Sequence, residues 1–192
     1  MTDRPTVLVV EDDRDLADLY AAWLEGEHDV RIANTASEAL EEFDAEVDVV
    51  LLDRRLPESS GDEVLSSIRE EGSDAQVAMV SAVDPDFDII EMGFDAYLVK
   101  PVTREELMDL VGRLLTRRVY TVEVREYFAL ASKRAALESR KDAETLAENE
   151  EYQRLLADLE ALESALDEEM GSLSDEDVVA VFKSLSDGQP DD

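Results

Sequence analysis

The sequence has no cysteine and a single histidine, His28, among its 192 residues. Disulfides, thiolate metal sites and thiol nucleophiles are therefore excluded, as are sites that need two or three imidazoles. Basic charge is also scarce. Eighteen Lys and Arg residues face 50 Asp and Glu, a formal net charge of -32. Such a surplus repels itself and is tolerable in a compact fold where salt screens it. No apolar run approaches the ~20 residues of a membrane-spanning helix. The run Val7-Leu8-Val9-Val10 ends at once in acids, unlike a secretory leader. No membrane association and a cytoplasmic location are expected. What is present is enough apolar residue for a core: Leu, Val, Ile and Phe together exceed the ~20% below which high net charge usually means disorder.

Short aliphatic runs alternate with amphipathic stretches over residues 1–116. Thr6–Val10, Val30–Ala33, Val47–Leu52, Gln76–Val80 and Ala96–Val99 read as strands, several of them apolar throughout, as strands buried on both faces are. Between them, Leu16, Leu19, Tyr20, Trp23 and Leu24 recur at helical spacing up to Gly26. Ser37 is a candidate cap for a helix with Ala39, Leu40 and Phe43. Further helices are expected at Asp62–Glu70 and Pro85–Met92, and one capped by Thr103 with Glu106 as its reciprocal partner. Five β–α units in series predict an α/β fold, a five-stranded parallel doubly wound sheet of flavodoxin-like type. His28, before the second strand, is expected on the surface.

In an open parallel sheet, ligands sit beyond the carboxyl ends of the strands. Those ends carry Glu11, Asp12 and Asp13, then Asp53, Ser81 and Lys100-Pro101. Each has a plain alternative: Asp12 or Asp13 caps a helix, Asp53 serves a turn, and Ser81 and Lys100 are merely polar. Together they form a set. Crowded carboxylates stay ionised only around a cation, and hard oxygen donors suit Mg²⁺. Magnesium with lysine and serine nearby is a chemistry for phosphate.

Several segments carry a family resemblance. They are Val7-Leu8-Val9-Val10-Glu11-Asp12-Asp13, Val49-Val50-Leu51-Leu52-Asp53, Leu56-Pro57, Gly61, Met79-Val80-Ser81-Ala82 and Tyr97-Leu98-Val99-Lys100-Pro101. Residues 4–117 resemble the receiver domain of two-component response regulators. The resemblance implies that Asp53 accepts a phosphoryl group from a histidine kinase. It implies Mg²⁺ held by Asp12, Asp53 and the backbone carbonyl of Arg55, with Glu11 reached through water. Ser81 and Lys100 would contact the phosphoryl group, Tyr97 would be the aromatic that changes rotamer, and Lys100-Pro101 would be a cis peptide. The protein would be a phosphoacceptor and not a free-standing enzyme. Arg54, Arg55 and Val83 depart from the family's usual residues, which leaves the lifetime of the phosphate open. An aspartate-nucleophile phosphatase is a remote alternative, because Arg55 stands where that chemistry wants a second acid.

Residues 118–186 read as helical, with no proline. Tyr120, Val124, Tyr127, Phe128, Ala131 and Ala135 share one helix face. Tyr152, Leu155, Leu159, Leu162 and Leu166 step by three and four, a coiled-coil-like pattern. A helical hairpin is expected, within one chain or across a homodimer, with a short third helix from Ser174 and a disordered tail at 187–192. Together with Asp53-Arg54-Arg55-Leu56-Pro57 and residues 81–88, the run Glu126–Lys133 resembles haloarchaeal regulators with a HalX domain. The composition likewise resembles that of halophilic archaeal proteins. Two outputs compete. A protein partner is favoured. DNA is the alternative, through a basic patch of Lys133, Arg134, Arg140 and Lys141, set opposite the aromatic face in the one positive stretch, 113–141.

Overall fold

The computed structural model describes residues 4–57, 59–117 and 122–170. The first part alternates strand and helix: β1 (Thr6–Val10), α1 (Arg14–Leu24), β2 (Asp29–Ala33), α2 (Ala36–Glu42), β3 (Val47–Leu52), α3 (Gly61–Glu70), β4 (Gln76–Ser81), a 3₁₀ turn (Phe87–Glu91), β5 (Ala96–Val99) and α4 (Arg104–Arg117). Three helices follow: α5 (Val122–Glu138), α6 (Ala143–Glu148) and α7 (Glu150–Met170). All strand pairs are parallel, in the order β2-β1-β3-β4-β5. The expected doubly wound sheet is therefore present. The third helix expected near Ser174 and the tail at 187–192 lie outside the described residues.

Alternate residues of each strand feed opposite faces, as the two-residue strand period requires. Val7, Val9, Val49, Leu51, Ala78 and Val80 pack against α1 and α4. Leu8, Val10, Val50, Leu52, Val77 and Met79 pack on the other face. There they meet α2, α3 and, unexpectedly, the helical tail. Leu137, Leu146, Tyr152, Leu155 and Leu159 are all buried in that same cluster, together with Ile89 and Phe94. The hairpin of α5 and α7 forms within the chain and uses the sheet domain as part of its core. Tyr152, Leu155 and Leu159 of the predicted stripe are buried, while Leu162 and Leu166 are half-buried.

This docking explains the missing helix at Pro85–Met92. Only one 3₁₀ turn forms there, started by the Asp86 side chain accepting from the Phe87 N–H. The apolar cover that a longer helix would give β4 and β5 comes from α5 and α7. Two smaller corrections are local. Thr35, not Ser37, caps α2, accepting from Glu38 N while Glu38 accepts from Asn34 N. His28 is buried at 7% exposure and its Nδ1 lies 3.1 Å from the Leu24 carbonyl, so it closes the end of α1.

Gly61 opens α3 under the chain that follows β3. A Cβ built there would lie 2.2 Å from the Asp53 carbonyl oxygen and 2.9 Å from Arg54 Cα. Both neighbours are backbone, so the loop itself would have to move. Gly61→Ala is expected to destabilise the fold by about 1–3 kcal/mol, the usual cost of overpacking. Urea unfolding checks it, and an unchanged midpoint would mean that the loop yields without cost.

Candidate acidic site at the ends of the strands

The site begins with strand ends. β1 delivers Glu11, β3 delivers Asp53, β4 ends in Ser81 and β5 is followed by Lys100. The backbone fixes these ends tightly: Asp53 N donates to Val10 O at 2.9 Å, Glu11 N to Ala33 O at 3.0 Å and Lys100 N to Ser81 O at 2.9 Å. Lys100-Pro101 is a cis peptide bond, a form that proline permits far more readily than other residues.

Glu11 and Asp53 are buried and Asp12 is exposed, yet a carboxylate oxygen from each lies within 4.8 Å of the others. Lys100 bridges the two buried acids, its Nζ 2.5 Å from Glu11 Oε2 and 2.5 Å from Asp53 Oδ2. The other oxygen of Asp53, Oδ1, accepts from Ser81 Oγ at 2.7 Å and from Arg55 N at 3.0 Å. The backbone of Arg55 is thereby held beside the carboxylate. Burial pushes the Glu11 carboxyl up, and its bond to Lys100 pulls it partly back. Burial pulls Lys100 down, but the bonds to Asp53 and Glu11 outweigh it and leave the ammonium above its ordinary value. Three acids with one lysine leave a local charge of about -2, which a divalent cation would balance. The donor set is oxygen only, with an exposed side at Asp12, and so fits Mg²⁺ with water in its remaining positions.

Asp13 has the plain role: it caps α1, accepting from Asp15 N and Leu16 N. Asn34 was not singled out from the sequence, yet its Nδ2 donates to the Glu11 carbonyl at 2.8 Å and steadies the acidic turn. Tyr97 lies half-buried against Phe94, with ring centroids 5.6 Å apart, and its hydroxyl donates to Val83 O at 2.8 Å. It therefore ties β5 to the chain leaving β4, next to Ser81. Burial holds its phenol above the ordinary value.

Arg54 was legible only as a departure from the family pattern. Its guanidinium forks onto Asp62 at 3.1 and 3.2 Å and also bonds Asp88 in the 3₁₀ turn. Nothing in the local sequence pairs residues 54 and 88, because the contact exists only across two strands.

The four residues of the basic stretch differ in their surroundings. Lys133 is 6% exposed, and its Nζ donates to Ile90 O at 2.8 Å beneath the Phe94 ring. Burial holds its ammonium below the ordinary value. Arg140 lies 3.3 Å from Asp84, and Lys141 lies 2.9 Å from Asp86. Arg134 is exposed and 3.9 Å from Glu138 of its own helix. The docked stripe of α5 runs through Leu130, Lys133 and Leu137. It is rotated from the aromatic face read from the sequence, and Ala135 of that face is exposed. For Arg140 and Lys141 the partners are the receiver-side acids Asp84 and Asp86 rather than Glu144, Glu148, Glu150 or Glu151 of the next helices.

Residues 7–112 match the family model described as response regulator receiver domain, and residues 116–182 match that of the HalX domain. A candidate transcriptional regulator of Haloferax volcanii is 55% identical over 157 residues, which is 81% of this chain and 27% of that protein. The sensory transduction protein RegX3 of Mycobacterium tuberculosis is 38% identical over 117 residues, 58% of this chain and 51% of that protein. The chain thus spans about a quarter of the first relative and about half of the second. Among solved structures, the response regulator TrrA of Thermotoga maritima, in complex with Mg²⁺ and beryllium fluoride, is 30% identical with a TM-score of 0.52. That likeness covers 58% of this chain and 99% of that one. No described helix is long and apolar enough to cross a membrane.

Proposed function

The chain belongs to the response regulator receiver family, and from that premise we propose that it accepts a phosphoryl group on Asp53 from a histidine kinase and passes the event to its helical module. One observation carries the reading: Lys100 Nζ spans Glu11 and Asp53 while Ser81 Oγ holds the other Asp53 oxygen. A nucleophilic carboxylate, a fixed cation and a hydroxyl donor thus meet at one point, with an acidic pair beside them.

Phosphoryl transfer is mostly positioning and charge neutralisation. Asp53 Oδ attacks phosphorus, the P–O bond forms and the bond to the donor's nitrogen breaks. Bound Mg²⁺, held by Asp12, Asp53 and the Arg55 carbonyl with Glu11 behind, would supply the positive charge that draws donor and acceptor together. Lys100 then faces the phosphoryl oxygens as a point charge. Ser81 turns from Asp53 to the same oxygens, and Tyr97 follows through the Val83 carbonyl that it already holds. TrrA, solved as a complex with Mg²⁺ and beryllium fluoride, supports this reading by analogy.

The helical module is read as contacting protein, either a second copy or a downstream partner, rather than DNA. Arg140 and Lys141 already face acids of this chain, and Lys133 is buried. At the salt concentrations that such an acidic surface suits, phosphate contacts would also add little affinity. The Haloferax relative's name points to transcription as the destination of the signal. Incubation of the full chain with acetyl phosphate and Mg²⁺ is expected to place one hydroxylamine-labile phosphoryl group on Asp53, located by mass spectrometry of peptides. Labelling elsewhere, or none, would contradict the reading.

A further inference from the structure

The segment that joins β4 to β5 is held from two sides. On the site's side, Tyr97 donates to Val83 O and Arg54 bonds Asp88. On the side of the helical module, Arg140 faces Asp84, Lys141 bonds Asp86, and Lys133 donates to Ile90 O. Each contact is a charge or hydroxyl on one side and a polar group of residues 83–90 on the other. Ile89, from the middle of the segment, is fully buried in the shared core.

Arg54 sits one residue after the proposed acceptor. Its side chain is 16% exposed and holds Asp62 of α3 together with Asp88. Its positive charge also offsets part of the rise that burial gives the Tyr97 phenol. A guanidinium offers five donors in a fixed fork, so it can hold two carboxylates at once in set directions. It thus links the acceptor's own loop both to α3 and to the 3₁₀ turn.

We propose that Arg54 is a positioning residue that couples the state of Asp53 to the docking of α5, acting through Asp88 and the acid-rich 84–88 segment that Arg140 and Lys141 grip. The inference rests on Asp53 being the phosphoacceptor. A phosphoryl group adds about 1.5–2 negative charges beside Arg54. The new charge draws the guanidinium from Asp88, the turn shifts, and the contacts of α5 loosen with it. The four cations of the apparent DNA patch then differ in role: Lys133, Arg140 and Lys141 are the module's grip on the receiver, and Arg134 is outside it.

The test uses the full chain, with beryllium fluoride and Mg²⁺ as the phosphoryl mimic and amide hydrogen exchange as the readout. In the unaltered protein, amides at 53–56 respond to the mimic, and those at 84–91 and 133–141 change by about 5- to 150-fold, the range of ordinary allosteric coupling. Arg54→Ala retains the response at 53–56 and loses most of that at 133–141. Asp88→Asn, which leaves Arg54 on Asp62, does the same and guards against a folding defect in the first variant. Arg54→Lys restores part of the coupling. Equal responses at 133–141 in all four proteins would overturn the proposal, as would a response at 53–56 of the unaltered chain with none at 133–141. Both of those outcomes leave the phosphoacceptor reading standing. No response at 53–56 in any protein would instead overturn that reading and this inference with it.

Discussion

Asp53→Asn is expected to reduce phosphoryl labelling to background while leaving the fold intact. Asparagine keeps the shape and one carbonyl oxygen, so Ser81 Oγ and Arg55 N retain an acceptor at the position they now reach at 2.7 and 3.0 Å. It lacks the anionic oxygen that attacks phosphorus, and no other described acid shares its place between Lys100 and Ser81. Lys100 keeps Glu11 as a counterion at 2.5 Å. The loss is therefore chemical and not structural. The measurement is labelling by acetyl phosphate with Mg²⁺, beside a thermal unfolding scan of the same samples. Residual labelling at more than a few per cent of the unaltered chain would assign the chemistry to another residue. A collapsed unfolding transition would mean that the carboxylate had a structural role this geometry does not indicate.

Lys100→Met should act on both rate and stability. For the rate, removal of one preorganised positive donor from a phosphoryl site is expected to slow transfer by about 10²–10³, by analogy with the loss of a single oxyanion donor. For stability, the variant leaves Glu11 and Asp53, at 3% and 6% exposure, without their shared cation. Breaking a buried pair in this way costs about 3–5 kcal/mol. That cost should be largest in a chelator and partly recovered in Mg²⁺, because the metal replaces the missing charge. Acidification should also help. The Glu11 carboxyl is raised by burial already, and Lys100 is the main influence that lowers it. Without Lys100 it rises further, so the folded state binds a proton that the unfolded chain does not. Stability from that group is present below the ordinary glutamate value of 4.5 and is lost as pH rises through the folded value. Urea midpoints with chelator and with Mg²⁺, at neutral and mildly acidic pH, check both signs. A variant equally stable in all four conditions would mean that the two carboxylates are hydrated.

The strands and the acidic site were readable because they depend on local order. An apolar run long enough for one strand and an acid or lysine directly after it place the polar group at a strand's carboxyl end. Parallel topology then gathers all such ends on one edge of the sheet. Glu11, Asp12, Asp53, Ser81 and Lys100 needed no more than that rule and the family resemblance. The capping pair of Thr103 and Glu106 was readable for the same reason, since both partners lie within one turn.

Other residues depended on what stood opposite them. The helical period of α5 specifies which side chains share a face, but not which face meets the sheet. Lys133 counts as a surface charge in any pattern of the helix alone, and only the Ile90 carbonyl and the Phe94 ring make its burial possible. The helix expected at Pro85–Met92 follows local periodicity, and the docked hairpin takes the place that would have stabilised it. Arg54 was a charged exception until Asp62 and Asp88 arrived from α3 and the 3₁₀ turn.

By itself, then, the sequence determined the parallel sheet, the family and which polar side chains gather at its edge, because each follows from neighbours along the chain. Only the tertiary structure decided that Lys133 of α5 is buried against the receiver and that Arg140 and Lys141, just beyond that helix, face the receiver's own acids. The partner of a charge is set by distance through space, and residues 84–90 come within reach of 133–141 only when both pack on the same core.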